Sequence, residues 1–533
     1  MPARLPETIS VAVPVAEPVR KSQYCWLVFF FLLETLLIIH LRVLGLPFFW
    51  DEAGQFIPTA LDLLRSGSWI AHSTIPNVHP PGVEAYLVTW YKLVGFSIPV
   101  TRVAMLLLAG LGLLVTFLLA LELTDGPRIV PAFLPAMFLL VSPLFYTQSM
   151  MAQLDMPAML FTLVTLLLFI KKQYAAAAAA SIGLVLMKET GLAVPIVFCA
   201  LLLWRKDWRR AAYFLAPVAT LIAWLVFLHH ATGYWLGNPD FAHYNLEYAL
   251  QPVHMTVSVL RRIYYVFFAE FRWIGTLALL LTVKRCKKFK DNAWHIALMT
   301  GLANFILVCV LGGAELERYL LPVLPIFYIG AALALSCFRP WAGFTGAAAL
   351  TVGLLVNLFW NPPYPFPYED NYAMVDFVRL QELAARYAER NLAHRTIATA
   401  WPYTAALQKP EYGFVEHKLR IVETNDFHVS SIRALSPKSF EVLITYTRTW
   451  APQNGVIAIP AVRWFLTRFY EFEPEISPNE CRRLGLNRVI SWNRRGQETT
   501  IYARPEKAPI SDLAQMQEIR AKSAQASSGE MVF

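Results

Sequence analysis

The sequence predicts a polytopic α-helical membrane protein with a C-terminal, extracytoplasmic α/β domain. Three observations predict it. Of 533 residues, 56% are hydrophobic and only 16% charged, far from the balance of a soluble chain of this length. Long apolar runs alternate with short basic clusters, and beyond Asn361 the pattern changes to polar, mixed helix and strand signals. The net charge of +9 does not indicate nucleic acid, because the basic residues sit between apolar runs, as in cytoplasmic loops. Of the six cysteines only Cys481 falls in the polar C-terminal third, so no disulfide framework is expected there.

The first apolar run, residues 24–50, is too long for a cleavable signal core and lacks a small-residue cleavage site after it. It reads as a retained signal anchor. At about 20 residues per crossing, spans are expected near 24–47, 101–121, 129–147, 157–170, 174–187, 190–204, 211–229, 263–283, 293–311, 319–337 and 341–360. Residues 83–96 are apolar but carry Glu84, Trp90, Tyr91 and Lys92 and are too short to cross, so they are expected to lie at the interface or re-enter. Eleven spans put the basic clusters Lys171-Lys172, Arg205-Lys206 with Arg209-Arg210, and 284–290 on one face, as the positive-inside rule requires. A twelfth would break that agreement. The same parity places the 1–23 tail with Arg20-Lys21, and Arg339, in the cytoplasm. Asp51-Glu52, residues 153–157, Lys188-Glu189, residues 315–318 and everything after Asn361 fall outside the cell.

The organisation expected is therefore a cytoplasmic tail (1–23), a membrane domain (24–360) with a first outer loop at 48–100, an extracytoplasmic α/β domain (361–508) and a polar, Ala- and Ser-rich flexible tail (509–533). In the α/β domain, 372–390 has helical spacing, and 396–400 and 442–446 read as buried strands. Residues 488–492 and 499–503 read as a hairpin around Arg494-Arg495-Gly496.

Acids at a hydrophobic edge are poor anchors, so Asp51-Glu52 either solvates a helix end or does chemistry at the surface. Residues 53–65 have one apolar helical face, broken by Ser66-Gly67-Ser68-Trp69. His79-Pro80-Pro81-Gly82 then opens the interfacial helix. Asp155 precedes Pro157 at the start of a span, where capping and active-site membership are compatible. The hairpin tip at Lys188-Glu189 is recessed in the membrane, because only a short stretch makes the two crossings between Lys172 and Arg205. A cation there needs an anionic partner, either a lipid phosphate or a nearby acid. Arg261-Arg262 begin an outer-side span against the usual bias, and Arg318 stands at another span start. Both suit either a bound phosphate or anionic lipid.

Asp51-Glu52-Ala53, the Ser66-Gly67-Ser68-Trp69 turn, His79-Pro80-Pro81 and Arg102, in this order, resemble the first outer loop of GT-C glycosyltransferases. So do Gln153-Leu154-Asp155-Met156-Pro157, Lys188-Glu189-Thr190 and Glu317-Arg318-Tyr319-Leu320-Leu321-Pro322 further along. Within that superfamily the chain resembles the protein O-mannosyltransferase and bacterial aminoarabinose transferase group, over roughly residues 24–340. The resemblance implies an integral enzyme of the bacterial inner membrane that moves a sugar from a polyprenyl-phosphate donor to a lipid, glycan or protein acceptor, with inversion. It implies Asp51, Glu52 and Asp155 as catalytic residues, and Lys188, Arg261, Arg262, Arg318 and His79 as donor phosphate ligands. The aminoarabinose transferases tend to show Lys where His79 stands, so this histidine has two readings: phosphate binding when protonated, or metal ligation. No tight ligand spacing such as Cys-x-x-Cys is present. A divalent ion on Asp51, His79 and Asp155 stays an open alternative rather than a required cofactor. The rival function is a transporter or flippase of a lipid-linked or anionic substrate, which would place polar residues at mid-span in facing helices, whereas here they gather at one face.

Overall fold

The computed structural model describes residues 19–124, 129–239, 243, 247–311, 316–448, 450 and 455–505. The expectations for the chain before Val19, for Glu315 and for the tail from Pro509 lie outside these. The helices are α1 (Val19–His40), α2 (Ile57–Ser66), α3 (Gly82–Val94), α4 (Ile98–Leu123), α5 (Ile129–Val141), α6 (Pro143–Met150), α7 (Asp155–Ile170) and α8 (Tyr174–Met187). They continue with α9 (Ala193–Trp204), α10 (Leu215–Thr232), α11 (Pro252–Phe267), α12 (Trp273–Thr282), α13 (Asn292–Leu311), α14 (Leu324–Ser336), α15 (Pro340–Phe359) and α16 (Ala373–Leu392). An apolar helix or helix pair stands at each expected span. Among the described residues, five segments are long and apolar enough to cross a bilayer, or six if one bent pair is a single span; the rest are shorter apolar helices of 10–17 residues.

Local chemistry explains most boundaries. The Ser97 hydroxyl accepts a hydrogen bond from the Val100 N–H at the start of α4, with a proline in its first turn. Pro143 cannot continue the helix before it, and α5 and α6 meet at 71°. The span expected at 263–283 is broken into α11 and α12, because Glu270 and Phe271 adopt left-handed backbone at φ 53° and 64°. The break is held by a fully buried Arg272, which donates to Glu270 at 2.8 Å and to the Tyr265 carbonyl at 2.8 Å. The stretch expected at 83–96 forms the short helix α3, which ends at Val94.

The chain divides into two compact units. The first draws on Met1–Val378, Glu411–Gly413 and Thr449–Phe469. Its core is helix against helix, with α4 packed on α1, α5 and α7, and α7 on α8. Residues 361–378, which composition alone groups with the C-terminal domain, belong to this unit. The second unit draws on Arg379–Pro410, Phe414–Arg448 and Tyr470–Phe533. It holds a five-stranded sheet of β1 (Thr396–Ala400), β2 (Arg420–Thr424), β3 (Val442–Tyr446), β4 (Asn487–Arg494) and β5 (Gln497–Ala503), in the order β2-β1-β3-β5-β4. β1 runs parallel to β2 and β3, and β5 is antiparallel to β3 and β4. The β4–β5 hairpin turns at Arg495 and Gly496, both at positive φ. β2 has no signal in the sequence because it is a half-exposed edge strand whose residues include Arg420 and Glu423.

Candidate active site

Trp50 carries the chain out of the first apolar run at φ 42°, a conformation a bulky side chain rarely adopts. A single π-type turn follows at Glu52–Phe56, then α2, which Gly67 ends at φ 73°. This entry turn throws the two adjacent acids in different directions. Asp51 keeps 20% of its side chain exposed and accepts from Arg318 Nη2 at 2.6 Å. Glu52 is fully buried. Its carboxylate accepts from the Arg102 guanidinium, from the Phe49 N–H at 2.9 Å and from the Ala152 N–H at 2.7 Å.

Glu52, expected among the catalytic residues, thus has its carboxylate engaged as an anchor. Arg102, also buried, donates in addition to the carbonyls of Leu46, Pro47 and Met150 through its two terminal nitrogens. The pair ties the segment around residue 50 to α4 and to the end of α6.

The second acid of the cluster is Asp155, in the first turn of α7. Leu154 is the N-cap, and Asp155 turns its carboxylate to Lys188 Nζ at 2.5 Å and Arg318 Nε at 3.2 Å. Lys188 sits where α8 stops and the chain runs extended into a 3₁₀ turn at Glu189–Leu192; it is buried, as a recessed tip requires. Its carboxylate partner is Asp155 rather than the adjoining Glu189. The Tyr319 ring lies 4.0 Å from its Nζ. Arg318, on the 3₁₀ turn Glu317–Leu320, gathers Asp51, Asp155 and Glu369 Oε2, the last at 2.9 Å.

Glu369 is the member the sequence reading missed. It lies on a short turn, Tyr368–Asp370, past the Pro-rich link, where an acidic pair was the only signal. Three carboxylates share two cations here, which leaves one negative charge in excess in a buried setting. Burial, with Asp51 and Asp155 beside it, outweighs Arg318 and pushes the Glu369 carboxyl up to about 7. A carboxyl raised on folding binds a proton that the unfolded chain has released, so stability is full below the unfolded value of 4.5 and falls as pH rises towards 7. Thermal unfolding of the purified chain between pH 5 and 8 is expected to show that fall, on the order of 3 kcal/mol from this group. Glu369→Gln should flatten it, and parallel wild-type and variant slopes would refute the assignment.

Two of the other expected ligands pair with acids that adjoin this cluster in the chain. His79 Nδ1 pairs with Glu189 at 2.8 Å, and Gly82 lets α3 start against the Leu186 carbonyl, where any Cβ would collide. Beside His79 is a cavity of about 20 Å³ lined by Thr59, Asn77 and Glu84 among others, the size of a bound water. Arg261 pairs with Glu317 at 2.5 Å, while the next residue, Arg262, is buried. Successive residues on a helix diverge by about 100°, so the two side chains leave the helix in different directions. Both also lie in the middle of α11 rather than at a span start. Among the described residues, no group of three His, Cys, Asp or Glu side chains is placed to hold a metal ion. His79 is turned to Glu189, and Arg318 stands between Asp51 and Asp155.

A buried cluster of acids and cations fed by one half-exposed aspartate suits transfer chemistry at a charged leaving group. Residues 78–314 match the sequence model of glycosyltransferase family 87. The fold is that of ArnT from Cupriavidus metallidurans in the apo state, with a TM-score of 0.51 and 14% identity over 91% of this chain and 100% of that one. The chain thus carries a glycosyltransferase family 87 segment on the fold of ArnT. The chain also resembles the same ArnT bound to undecaprenyl phosphate, at a TM-score of 0.49 and 14% identity over 92% and 99% of the two chains. A further likeness is to the Pmt1-Pmt2 protein O-mannosyltransferase complex of S. cerevisiae bound to the sugar donor, at a TM-score of 0.32 and 20% identity over 42% and 35%. No curated protein matches its sequence. The transporter reading gains no support from any of these likenesses, and the chain is an integral membrane protein.

Proposed function

We propose that this transferase takes a sugar from a polyprenyl-phosphate donor and gives it to a lipid, glycan or protein acceptor at the extracytoplasmic face of a bacterial inner membrane. The observation that carries this reading is Asp51, the one accessible acid of the cluster, held 2.6 Å from an arginine whose other partners are buried. The acceptor oxygen or nitrogen attacks C1 of the sugar and passes its proton to Asp51. The C1–O bond to phosphate breaks, polyprenyl phosphate leaves with the electron pair, and attack opposite the leaving group inverts the anomeric centre. Lys188 and Arg318 meet the charge that develops on the phosphate, an electrostatic role strengthened by exclusion of water. Asp155 and Glu369 hold those cations in place, and His79 with Glu189 forms the neighbouring rim. The sheet-containing unit assists in binding the acceptor.

The shared ArnT fold supports a lipid-phosphate donor, because that protein was captured with undecaprenyl phosphate. The test is transfer in membranes containing the protein, supplied with radiolabelled polyprenyl-phosphate hexoses and pentoses. One polyprenyl phosphate is expected for each sugar transferred, with the product anomer opposite to the donor's. Transfer from nucleotide sugars alone, with every lipid-linked sugar inert, would overturn the proposal.

A further inference from the structure

The segment before residue 470 carries a helix that neither the site nor the core uses. Residues Pro460–Phe469 form an amphipathic helix with no buried residue. Val462, Phe465, Leu466 and Phe469 are half-buried and share one face, while Arg463, Trp464 and Arg468 point outward, Trp464 with 65% exposure. Ile459 extends the exposed apolar surface at the helix start. Among the described residues neither arginine forms an ion pair; Arg468 only lies over the Phe469 ring at 5.6 Å.

The position of this helix is fixed by three tethers within the first unit. The Val456 N–H donates to the Pro363 carbonyl at 2.9 Å, and Trp450 Nε1 to the Pro362 carbonyl at 3.0 Å. His254 Nε2 meets the Phe469 carbonyl at 2.7 Å, from the first turn of α11. Pro362 and Pro363 follow within four residues of Phe359, the end of a helix long and apolar enough to cross a bilayer. At roughly 3.5 Å per residue, that keeps the tether within about 15 Å of the end of the crossing.

We propose that the helix Pro460–Phe469 lies on the bilayer, with Trp464 and Ile459 seated among the headgroups and Arg463 and Arg468 paired with the phosphates of anionic lipids. A tryptophan flanked by cations at the end of a span is the composition that a headgroup layer favours. Each arginine near an anionic surface adds to the attraction, and among the described residues neither has a protein carboxylate to compete for it.

The test uses the full chain in nanodiscs, with Trp464→Cys in a background where the native cysteines are replaced, labelled with an environment-sensitive fluorophore. Headgroup spin-labelled lipid is expected to quench this probe several-fold more than aqueous iodide does. Replacing a zwitterionic bilayer with one rich in phosphatidylglycerol should at least double the lipid quenching, and Arg463→Glu with Arg468→Glu should abolish that increase. Both positions are exposed, so the variants are expected to remain folded, which elution of a single monodisperse species checks. Quenching by iodide alone would overturn the proposal. Lipid quenching indifferent to bilayer charge in both proteins would overturn the pairing with anionic phosphate.

Discussion

Asp51→Asn is expected to reduce sugar transfer by about 10²- to 10⁴-fold, the usual contribution of a positioned general base. The loss should fall on kcat, with little change in the apparent affinity for the lipid-linked donor. The reason is geometric. An asparagine at this position would keep the shape of the side chain and an oxygen for Arg318, while Arg318 retains Asp155 and Glu369. What disappears is the ability to accept the acceptor's proton. Because the side chain is partly exposed and belongs to no packed core, thermal stability should be close to that of the wild type. Transfer by the variant within a few-fold of wild type would remove Asp51 from the chemistry, and a loss confined to donor affinity would recast it as a residue that only orients Arg318.

The second large effect belongs to the neighbouring acid and is structural. Glu52→Gln leaves the Arg102 guanidinium buried without its counter-charge, and Arg102→Met does the same to the carboxylate. Breaking a buried pair from one side costs about 3–5 kcal/mol, a large part of the stability of a typical domain. Either single variant should melt well below the wild type or fail to purify as a single species. The double variant is expected to be less damaged than the sum of the two, since no lone charge remains, although the carbonyls of Leu46, Pro47 and Met150 lose their donor. Additive losses in that cycle would contradict a coupled ion pair. Activity should fall together with stability, because the pair sets the turn that presents Asp51.

The contrast between these adjacent residues shows where sequence reading stops. That acids stand at the end of the first apolar run is plain from residues 24–52 alone. Which of them faces Arg318 and which faces Arg102 depends on a left-handed Trp50 and the π-type turn after it, and neither has a signature in the residue types. The pairing of Glu52 with Arg102, 50 positions apart, follows from how α4 packs, not from any local spacing. Glu369 was missed for a similar reason. It sits beyond a Pro-rich link that marks a change of composition, yet the compact unit containing the site runs on to residue 378. The strand β2 escaped because its edge position leaves it half-exposed, without the apolar run that identified β1 and β3.

The sequence by itself determined that this chain lives in a membrane and about where its apolar helices lie, and it singled out most of the acidic and cationic residues of the cluster. Those properties follow from local chemistry: hydropathy over some 20 residues, proline and serine at helix starts, and the bias of basic loops. The tertiary structure alone decided the partners. Lys188 pairs with Asp155 rather than Glu189, Arg318 gathers three carboxylates from distant segments, and Glu52 serves as an anchor. The physical reason is that a buried charge must find its counter-charge wherever packing brings one within hydrogen-bond reach. That choice is made between helices in space and leaves no trace in the spacing along the chain.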